Sequence, residues 1–294
     1  MNGYMGKLLY VDLSQGRLWD EPVKEADARQ FVGGSGLAAR IVFDMVSADT
    51  DPLGPQNPLV FMTGPFVGTA VPSSGRYSVC ALSPLTRIWG EGNSGGFFGP
   101  ELRFAGYDGV VITGCSEKPV WLSIIEGKPL LHDASGIWGS DSYKTQEMVR
   151  QALGDQKVRV ACIGVGGENK VKMAAVMNDQ GRTVGRTGMG AVMGSKRLKA
   201  IGVRGQAKVP LADSEGLKTL ARDIITDMRD AVLPQALKLA GTAGTADALM
   251  MYGDMPNRYF QLGSWDNASN LSGLVMAEQY QNRTYACYRC PIGC

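Results

Sequence analysis

The segment Gly92–Thr113 reads GNSGGFFGPELRFAGYDGVVIT, and it limits the kinds of fold that the chain can adopt. Its first residues are small and rich in glycine, which favours a tight turn. The residues from Gly96 to Ala105 favour a short helix, and Gly109–Thr113 is an apolar run of strand length. A turn, a helix and a buried strand in close succession predict mixed α and β structure.

Short strands and glycine-rich turns continue in both directions from this segment, through the first two-thirds of the chain. The predicted strands are Lys7–Leu13, Arg17–Trp19, Leu59–Met62, Tyr77–Leu82, Gly109–Thr113, Val120–Ile125, Val158–Ile163, Val171–Met177 and Ala200–Val203. The predicted helices are Leu37–Val46, Gly96–Ala105, Tyr143–Leu153 and Gly188–Leu198. This mixture predicts an α+β fold.

The pattern changes near Lys208. Asp213 or Ser214 can cap a helix whose apolar residues recur with the spacing of one helical face, and Pro234 is expected to end or kink it. A second helix is predicted for Gln235–Tyr252. The sequence therefore predicts a β-rich domain over residues 1–207 and the beginning of a helical domain over residues 208–294. We expect this helical domain to be incomplete.

The overall composition is ordinary, apart from 39 glycines among 294 residues. A net charge of +2 gives no indication of a nucleic-acid partner. No apolar stretch has the length of a signal peptide or a membrane-spanning helix. We therefore expect a cytoplasmic protein that does not bind membranes, in which any anion site depends on local clustering of arginines.

Three cysteines lie within the last eight residues and call for an explanation of their own. Cys287, Cys290 and Cys294 have the spacing C-x2-C-x3-C. Three thiolates so close together favour an iron–sulfur cluster, which normally needs a fourth ligand. Zinc remains an alternative, although zinc ribbons usually pair two separate C-x2-C motifs. Free thiols without a metal are a third interpretation.

Three segments combine glycine, small residues and arginine, a pattern suited to binding an anion. They are Pro72–Tyr77 with Arg76, Gly92–Gly96 with Arg103 further along its predicted helix, and Gly181–Gly188 with Arg182 and Arg186. Each one alone is equally typical of a turn with solvated arginines. Their occurrence together with the cysteine motif favours a cofactor site.

At this point the sequence resembles the N-terminal half of the tungsten-containing aldehyde:ferredoxin oxidoreductases. The similarity spans essentially the whole chain, and its blocks occur in the same order as in the family. These blocks are Gly64–Thr69, Ser74–Tyr77, Asn93–Gly99, Phe104–Asp108, Gly167–Asn169, Met177–Asp179, Gly190–Lys196 and Cys290–Cys294. The resemblance implies a first domain of two β-sheets that binds a tungsten or molybdenum ion held by two pterins, next to a [4Fe–4S] cluster.

The resemblance also implies roles for individual residues. Arg76 would lie between pterin and cluster, and Asn93 and Gly95 would contact the cofactor. The backbone carbonyl of Asn93 would help bind a magnesium ion between the pterin phosphates. The second pterin side would be formed by Arg182, Thr183, Gly185 and Arg186, with Thr183 at a position where the family usually has alanine. The cluster ligands would be Cys287, Cys290 and Cys294.

The activity implied is oxidation of an aldehyde to a carboxylic acid, with electrons leaving through the cluster to ferredoxin or another carrier. An active-site subunit of a larger reductase, such as one acting on aromatic acyl-CoA, is an alternative, and a non-catalytic pterin- or cluster-binding fragment is another. The resemblance implies a homodimer or a subunit of a complex. Catalytic residues cannot be named within this chain. Its single histidine, His132, adjoins an apolar strand and is interpreted as structural.

Overall fold

The computed structural model describes residues 1–294, which divide into two units. The larger unit comprises Met1–Thr69 and Ser74–Asp213, and the smaller comprises Ala70–Ser73 and Ser214–Cys294. None of the helices has both the length and the apolar character needed to cross a lipid bilayer. The domain limits predicted from the sequence, residues 1–207 and 208–294, remain a prediction that experiments in solution can test.

The first sheet of the larger unit has six strands. In chain order they are β1 (Lys7–Asp12), β2 (Arg17–Pro22), β3 (Leu59–Thr63), β4 (Tyr77–Leu82), β5 (Trp89–Ser94) and β6 (Gly109–Thr113). Their spatial order is β2-β1-β6-β3-β4-β5, with β1 and β6 parallel and all other neighbours antiparallel. Strand β5 therefore forms one edge.

The second sheet also has six strands. They are β7 (Val120–Ile125), β8 (Lys128–Asp133), β9 (Arg159–Cys162), β10 (Val176–Asn178), β11 (Arg182–Val184) and β12 (Leu198–Arg204). Their spatial order is β11-β10-β9-β12-β7-β8, and only β12 and β7 run parallel. The short strand β11 is an edge of this sheet.

Six helices belong to the larger unit. They are α1 (Glu25–Phe31), α2 (Gly34–Met45), α3 (Phe98–Phe104), α4 (Ser142–Leu153), α5 (Val165–Glu168) and α6 (Met189–Ser195). The main core contains side chains from both sheets together with Phe98 of α3 and Met189 of α6. Helix α2 packs on the opposite face of the first sheet, and α4 on the opposite face of the second.

Strand periodicity explains this layering. In β3, Leu59 and Phe61 belong to the core between the sheets, whereas Val60 and Met62 pack with the residues of α2. Successive side chains of a strand point to opposite faces, so a strand buried on both sides reads as a continuous apolar run. The two-sheet α+β fold predicted for this part of the chain is confirmed.

Some predicted elements were wrong in extent. Of the strand predicted over Val171–Met177, only Val176 and Met177 lie in a strand, because residues 171–174 form a turn closed by Ala174 N–H donating to the carbonyl of Val171 (2.7 Å). Val171 and Met173 are exposed in this turn. No strand was predicted over β5 or β11, where the glycine–arginine segments indicated turns. Edge strands need few apolar residues, so their glycine and polar content concealed them.

The smaller unit is helical. It contains α7 (Ser214–Asp230), α8 (Val232–Ala240), α9 (Thr245–Met251), α10 (Gly273–Tyr280) and two single 3-10 turns, Thr242–Gly244 and Ala268–Leu271. Pro234 does not end the first of these helices but lies in the first turn of α8, where its missing N–H costs no helical hydrogen bond. Gly241, at φ 62°, separates α8 from the turn that follows.

Candidate cofactor site

Two of the predicted glycine–arginine segments meet where the edges of the two sheets come together. A Cβ atom placed on Gly92 of β5 would lie 2.5 Å from Cγ1 of Val184 in β11 and 3.2 Å from the carbonyl oxygen of Arg186. Only glycine allows the two edge strands to approach so closely. Segments that are some ninety residues apart in the sequence are thus in contact.

On the β5 side of this surface, Arg76 immediately precedes β4 and Asn93 lies in β5. Arg76 Nη1 donates a hydrogen bond to Asn93 Oδ1 over 2.6 Å, and both side chains are exposed. The pairing of β4 with β5 places Ser78 opposite Asn93, which accounts for their proximity. The structure therefore brings together two predicted site residues from different segments.

On the β11 side, Arg182 and Thr183 belong to the strand itself, and Gly185 and Arg186 follow it. Thr183, Gly185 and Arg186 are exposed, whereas Arg182 is half-buried. A Cβ atom on Gly185 would meet only the side chain of Thr183, at 3.5 Å, so the backbone here is open to a ligand. The predicted residues of the second pterin side are thus contiguous.

The turn formed by Gly95 and Gly96 is held by a carboxylate that the sequence did not indicate. Oδ2 of Asp179 accepts hydrogen bonds from the backbone N–H groups of Phe97 (2.6 Å) and Phe98 (3.1 Å), where helix α3 begins. Gly96 has φ 87°, and a Cβ there would lie 2.4 Å from the same oxygen. The carboxylate therefore occupies the start of α3 that an anionic ligand would otherwise use.

Asn178, next to Asp179, is fully buried and uses its whole hydrogen-bonding capacity. Its Oδ1 accepts from Ser94 Oγ (2.7 Å) and from Tyr77 Oη (3.1 Å). Its Nδ2 donates to the Gly95 carbonyl (3.0 Å) and to Asp179 Oδ2 (2.8 Å). In the sequence this block is notable only as part of the resemblance, since polar residues before a glycine, here Asn178, Asp179 and Gln180 before Gly181, are typical of an exposed turn.

Arg103 does not belong to the site. Its side chain is fully buried and forms an ion pair with Asp108 (Nη1 to Oδ1, 2.9 Å). It also donates to the carbonyls of Gly3 (2.7 Å) and Gly64 (3.1 Å). The inclusion of Arg103 among the glycine–arginine segments as an anion ligand was wrong, because its guanidinium joins the N-terminal segment to the first sheet.

The cysteine motif lies at the end of the smaller unit as a tight turn. Cys290 N–H donates to the carbonyl of Cys287 (3.1 Å), and Gly293 is buried with φ 68°. The three cysteines form no disulfide. Nowhere in the chain do three histidine, cysteine or carboxylate side chains already converge closely enough to hold a metal ion. The motif thus provides thiol side chains that could bind a cluster, but their positions do not form a metal site.

His132 has the structural environment expected of it. Its ring stacks on Trp121 with centroids 3.9 Å apart, and Nε2 lies 2.7 Å from Ser123 Oγ. Burial lowers the pKa of His132 below its ordinary value, which favours the neutral ring. It lies on the edge strand β8, in the sheet away from β5.

Guanidinium groups beside small residues and an accessible backbone form a surface suited to the phosphates of an anionic cofactor. Arg76, Arg182 and Arg186 provide such groups along the two sheet edges, while the carboxylate of Asp179 is buried and already bound. The fold and the residues at these sheet edges therefore define a two-sheet protein with accessible arginines beside glycine-rich backbone.

Comparison with known proteins identifies the family. Residues 8–205 match the family model described as aldehyde ferredoxin oxidoreductase, N-terminal domain, and residues 219–294 match the model for domains 2 and 3. The chain belongs to the aldehyde ferredoxin oxidoreductase family.

The relatives include the tungsten-containing aldehyde ferredoxin oxidoreductases of Thermococcus kodakarensis and Pyrococcus furiosus, each 42% identical over the whole chain. The WOR-like subunit of an aliphatic sulfonate oxidoreductase from Pyrococcus furiosus is 32% identical. The chain spans about half the length of the curated relatives it matches (49%).

One solved structure similar to this chain is the active-site complex BamBC of benzoyl coenzyme A reductase with 1,5-dienoyl-CoA. The alignment covers 99% of this chain and 46% of the matched chain in that structure. The TM-score is 0.85 and the sequence identity 29%.

Proposed function

We propose that this chain is the cofactor-binding part of a tungsten- or molybdenum-dependent oxidoreductase that oxidises aldehydes to carboxylic acids. The observation that carries the proposal is the convergence of two glycine–arginine segments at the adjoining edges of the sheets. Membership of the family supports a metal held by two pterins, which would supply the redox chemistry when bound. The protein's own task is to bind, orient and shield that group.

The arginines are proposed to bind the anionic parts of the pterins. Arg76 is already oriented by Asn93, and Arg182 and Arg186 lie along the facing edge. The backbone carbonyl group of Asn93 would help bind a magnesium ion between the phosphates, and Gly95 and Gly185 would let the backbone come close to the cofactor. Replacement of the family's usual alanine by Thr183 leaves a backbone carbonyl unchanged.

We further propose that Cys287, Cys290 and Cys294 bind a [4Fe–4S] cluster that passes electrons to ferredoxin or a similar carrier. Such a cluster needs a fourth ligand besides these three. Zinc binding and free thiols are the competing interpretations. A cytoplasmic location is part of the proposal, because reducing conditions keep cysteines available for metal instead of disulfides.

The cluster is tested by exchanging one thiolate. Protein produced anaerobically from the complete gene should contain about four iron atoms per chain, and Cys290→Ser should lose most of them. Cys115→Ser, which changes a cysteine outside the motif, should keep the iron. Stoichiometric zinc without iron in the unaltered protein would contradict the assignment.

A second candidate function is that of an active-site subunit of an acyl-CoA reductase, and the similarity to the BamBC complex favours it. The two are separated by incubating the same protein with an aldehyde or with a dienoyl-CoA and following reduction of a viologen dye. Aldehyde-dependent reduction supports the leading proposal, and a response to the dienoyl-CoA alone supports the second. A preparation without any pterin would contradict both.

A further inference from the structure

The buried residues Asn178 and Asp179 lie at the turn between β10 and β11 of the second sheet. Most hydrogen-bond partners of their side chains lie in the first sheet or in the segment that follows β5. They include the Ser94 hydroxyl, the Gly95 carbonyl and the Phe97 N–H group. We infer that Asn178 and Asp179 are positioning residues that hold the segment Asn93–Phe97 in the shape required by the pterin. The inference rests on the proposed function.

Their place in the chain makes this pair suited to that role. Gly181 N–H donates to the carbonyl of Asn178 over 3.3 Å, which closes the turn leading directly into Arg182. The pair thus connects the segment containing Asn93 and Gly95 to the segment containing Arg182. A shift at this turn would move one half of the proposed site relative to the other.

Asp179 is held on its second oxygen as well. Arg159 Nη1 lies 3.3 Å from Oδ1, and the Arg159 guanidinium sits 4.6 Å from the centre of the Phe97 ring. The Asp179 side chain is fully buried, so its carboxylate has little freedom to rotate away. Loss of its charge would weaken three hydrogen bonds on Oδ2, including the one from Asn178.

Asn57 provides a matched control. It is also fully buried, and its amide donates to the carbonyls of Pro52 (2.7 Å) and Leu82 (3.1 Å) and accepts from Leu82 N–H (2.9 Å). Leu82 is the end of β4 that lies away from Tyr77. Asn57→Ala should therefore destabilise the first sheet, to which Asn93 belongs, without disturbing the proposed site.

The experiment compares Asn178→Ala, Asn178→Asp and Asn57→Ala in the protein produced from its complete gene. Tungsten and pterin content are measured after gel filtration, and the thermal unfolding midpoint of each variant is recorded. Residues behind a metal site typically change metal affinity by about 10- to 100-fold when replaced. We expect both Asn178 variants to bind the cofactor about 10- to 100-fold more weakly, and therefore to be depleted of tungsten and pterin. Asn57→Ala should keep the cofactor content of the unaltered protein. Asn178→Asp is nearly isosteric and places a second carboxylate beside Asp179.

Asp179→Asn and Asp179→Ala give an independent test. Asparagine keeps one oxygen that can accept from Phe97 and Phe98, so it should retain more pterin than alanine and release it more slowly on dilution. Cofactor content equal to that of Asn57→Ala, at the same unfolding midpoint, would overturn the inference while leaving the proposed function intact. Unaltered protein without pterin would overturn both.

Discussion

Binding of a cofactor at the proposed site depends most directly on the guanidinium groups of Arg76, Arg182 and Arg186. A hydrogen bond to a charged group contributes about 1.5–3 kcal/mol. Replacing any one of the three by alanine should therefore weaken retention of the pterin by roughly ten- to a hundredfold. Replacement by lysine keeps the charge but loses the planar pair of donors, and should restore only part of the binding.

The measurement is tungsten and pterin content after gel filtration, with Arg229→Ala as the control, since Arg229 is an exposed residue of α7. Depletion is expected in the three site variants and not in the control. Equal cofactor content in all four would mean that the glycine–arginine segments are only turns.

Lys196 permits a prediction about pH. Its ammonium group is fully buried and donates only to the carbonyls of Pro55 (3.3 Å) and Gly114 (3.4 Å), and burial lowers its pKa to about 8. Between this value and the ordinary 10.5, the unfolded chain holds a proton that the folded chain has released. The free energy of unfolding therefore rises with pH in this interval.

Lys196→Met isolates this contribution from those of other groups. The free energy of unfolding of the unaltered protein, minus that of Lys196→Met, should increase by up to about 3 kcal/mol from pH 7 to pH 10.5. Urea unfolding at several pH values measures it. A difference that stays constant across this range would show that Lys196 does not change its protonation on unfolding.

At the scale of single elements, the contact between β5 and β11 gives the next prediction. Gly92→Ala would place a methyl group against Val184, whose side chain is fully buried and branched. Overpacking of this kind costs about 1–3 kcal/mol. We expect both a lower unfolding midpoint and a lower pterin content, since the two halves of the site are pushed apart.

The double variant Gly92→Ala, Val184→Ala makes room for the added methyl group. It should recover cofactor binding relative to Gly92→Ala, which a double-mutant cycle detects as coupling between the two positions. Gly136→Ala serves as the control, since nothing lies within 4 Å of a Cβ at that position. Independent, additive effects at Gly92 and Val184 would contradict the proposed contact.

The sequence indicated the segments of the site but not their arrangement. Glycine next to arginine predicted Arg76, Arg182 and Arg186 as candidates, and the same pattern misplaced Arg103. The difference is Asp108, which buries the Arg103 guanidinium in an ion pair. Residue type alone cannot distinguish a solvated arginine from a buried one, because burial depends on partners from other parts of the chain.

Asn178 and Asp179 show the same limit of sequence-based prediction, because here buried residues were not recognised as buried. Their local sequence is typical of an exposed turn, yet Asn178 contacts Gly95, which is 83 residues away. Apolar strands such as β3 and β6 were recognisable because both faces are buried. Which strands pair, and hence which edges meet, depends on long-range contacts that periodicity does not encode.

At the scale of the whole molecule, the change from strands to helices can be tested by limited proteolysis. The predicted boundary near Lys208 follows from a proline-containing link between two patterns, and the structure divides the chain after Asp213. A stable fragment ending between about residues 204 and 216 is expected. It would be identified by mass spectrometry. First cleavage within Tyr77–Thr113 would contradict the boundary, because that region lies in the first sheet.

The pairing of β1 with β6 has a consequence for synthesis on the ribosome. The N-terminal strand cannot find its parallel neighbour until Thr113 has left the exit tunnel, and the second sheet must wait for Arg204 in the same way. At about 5–20 residues per second, these two events are separated by on the order of ten seconds. The edges β5 and β11 cannot come together until Val184 and Arg186 have emerged. A pterin at the proposed site must therefore await Arg186, and the nascent chain passes through an interval in which its first sheet is complete but one face is uncovered.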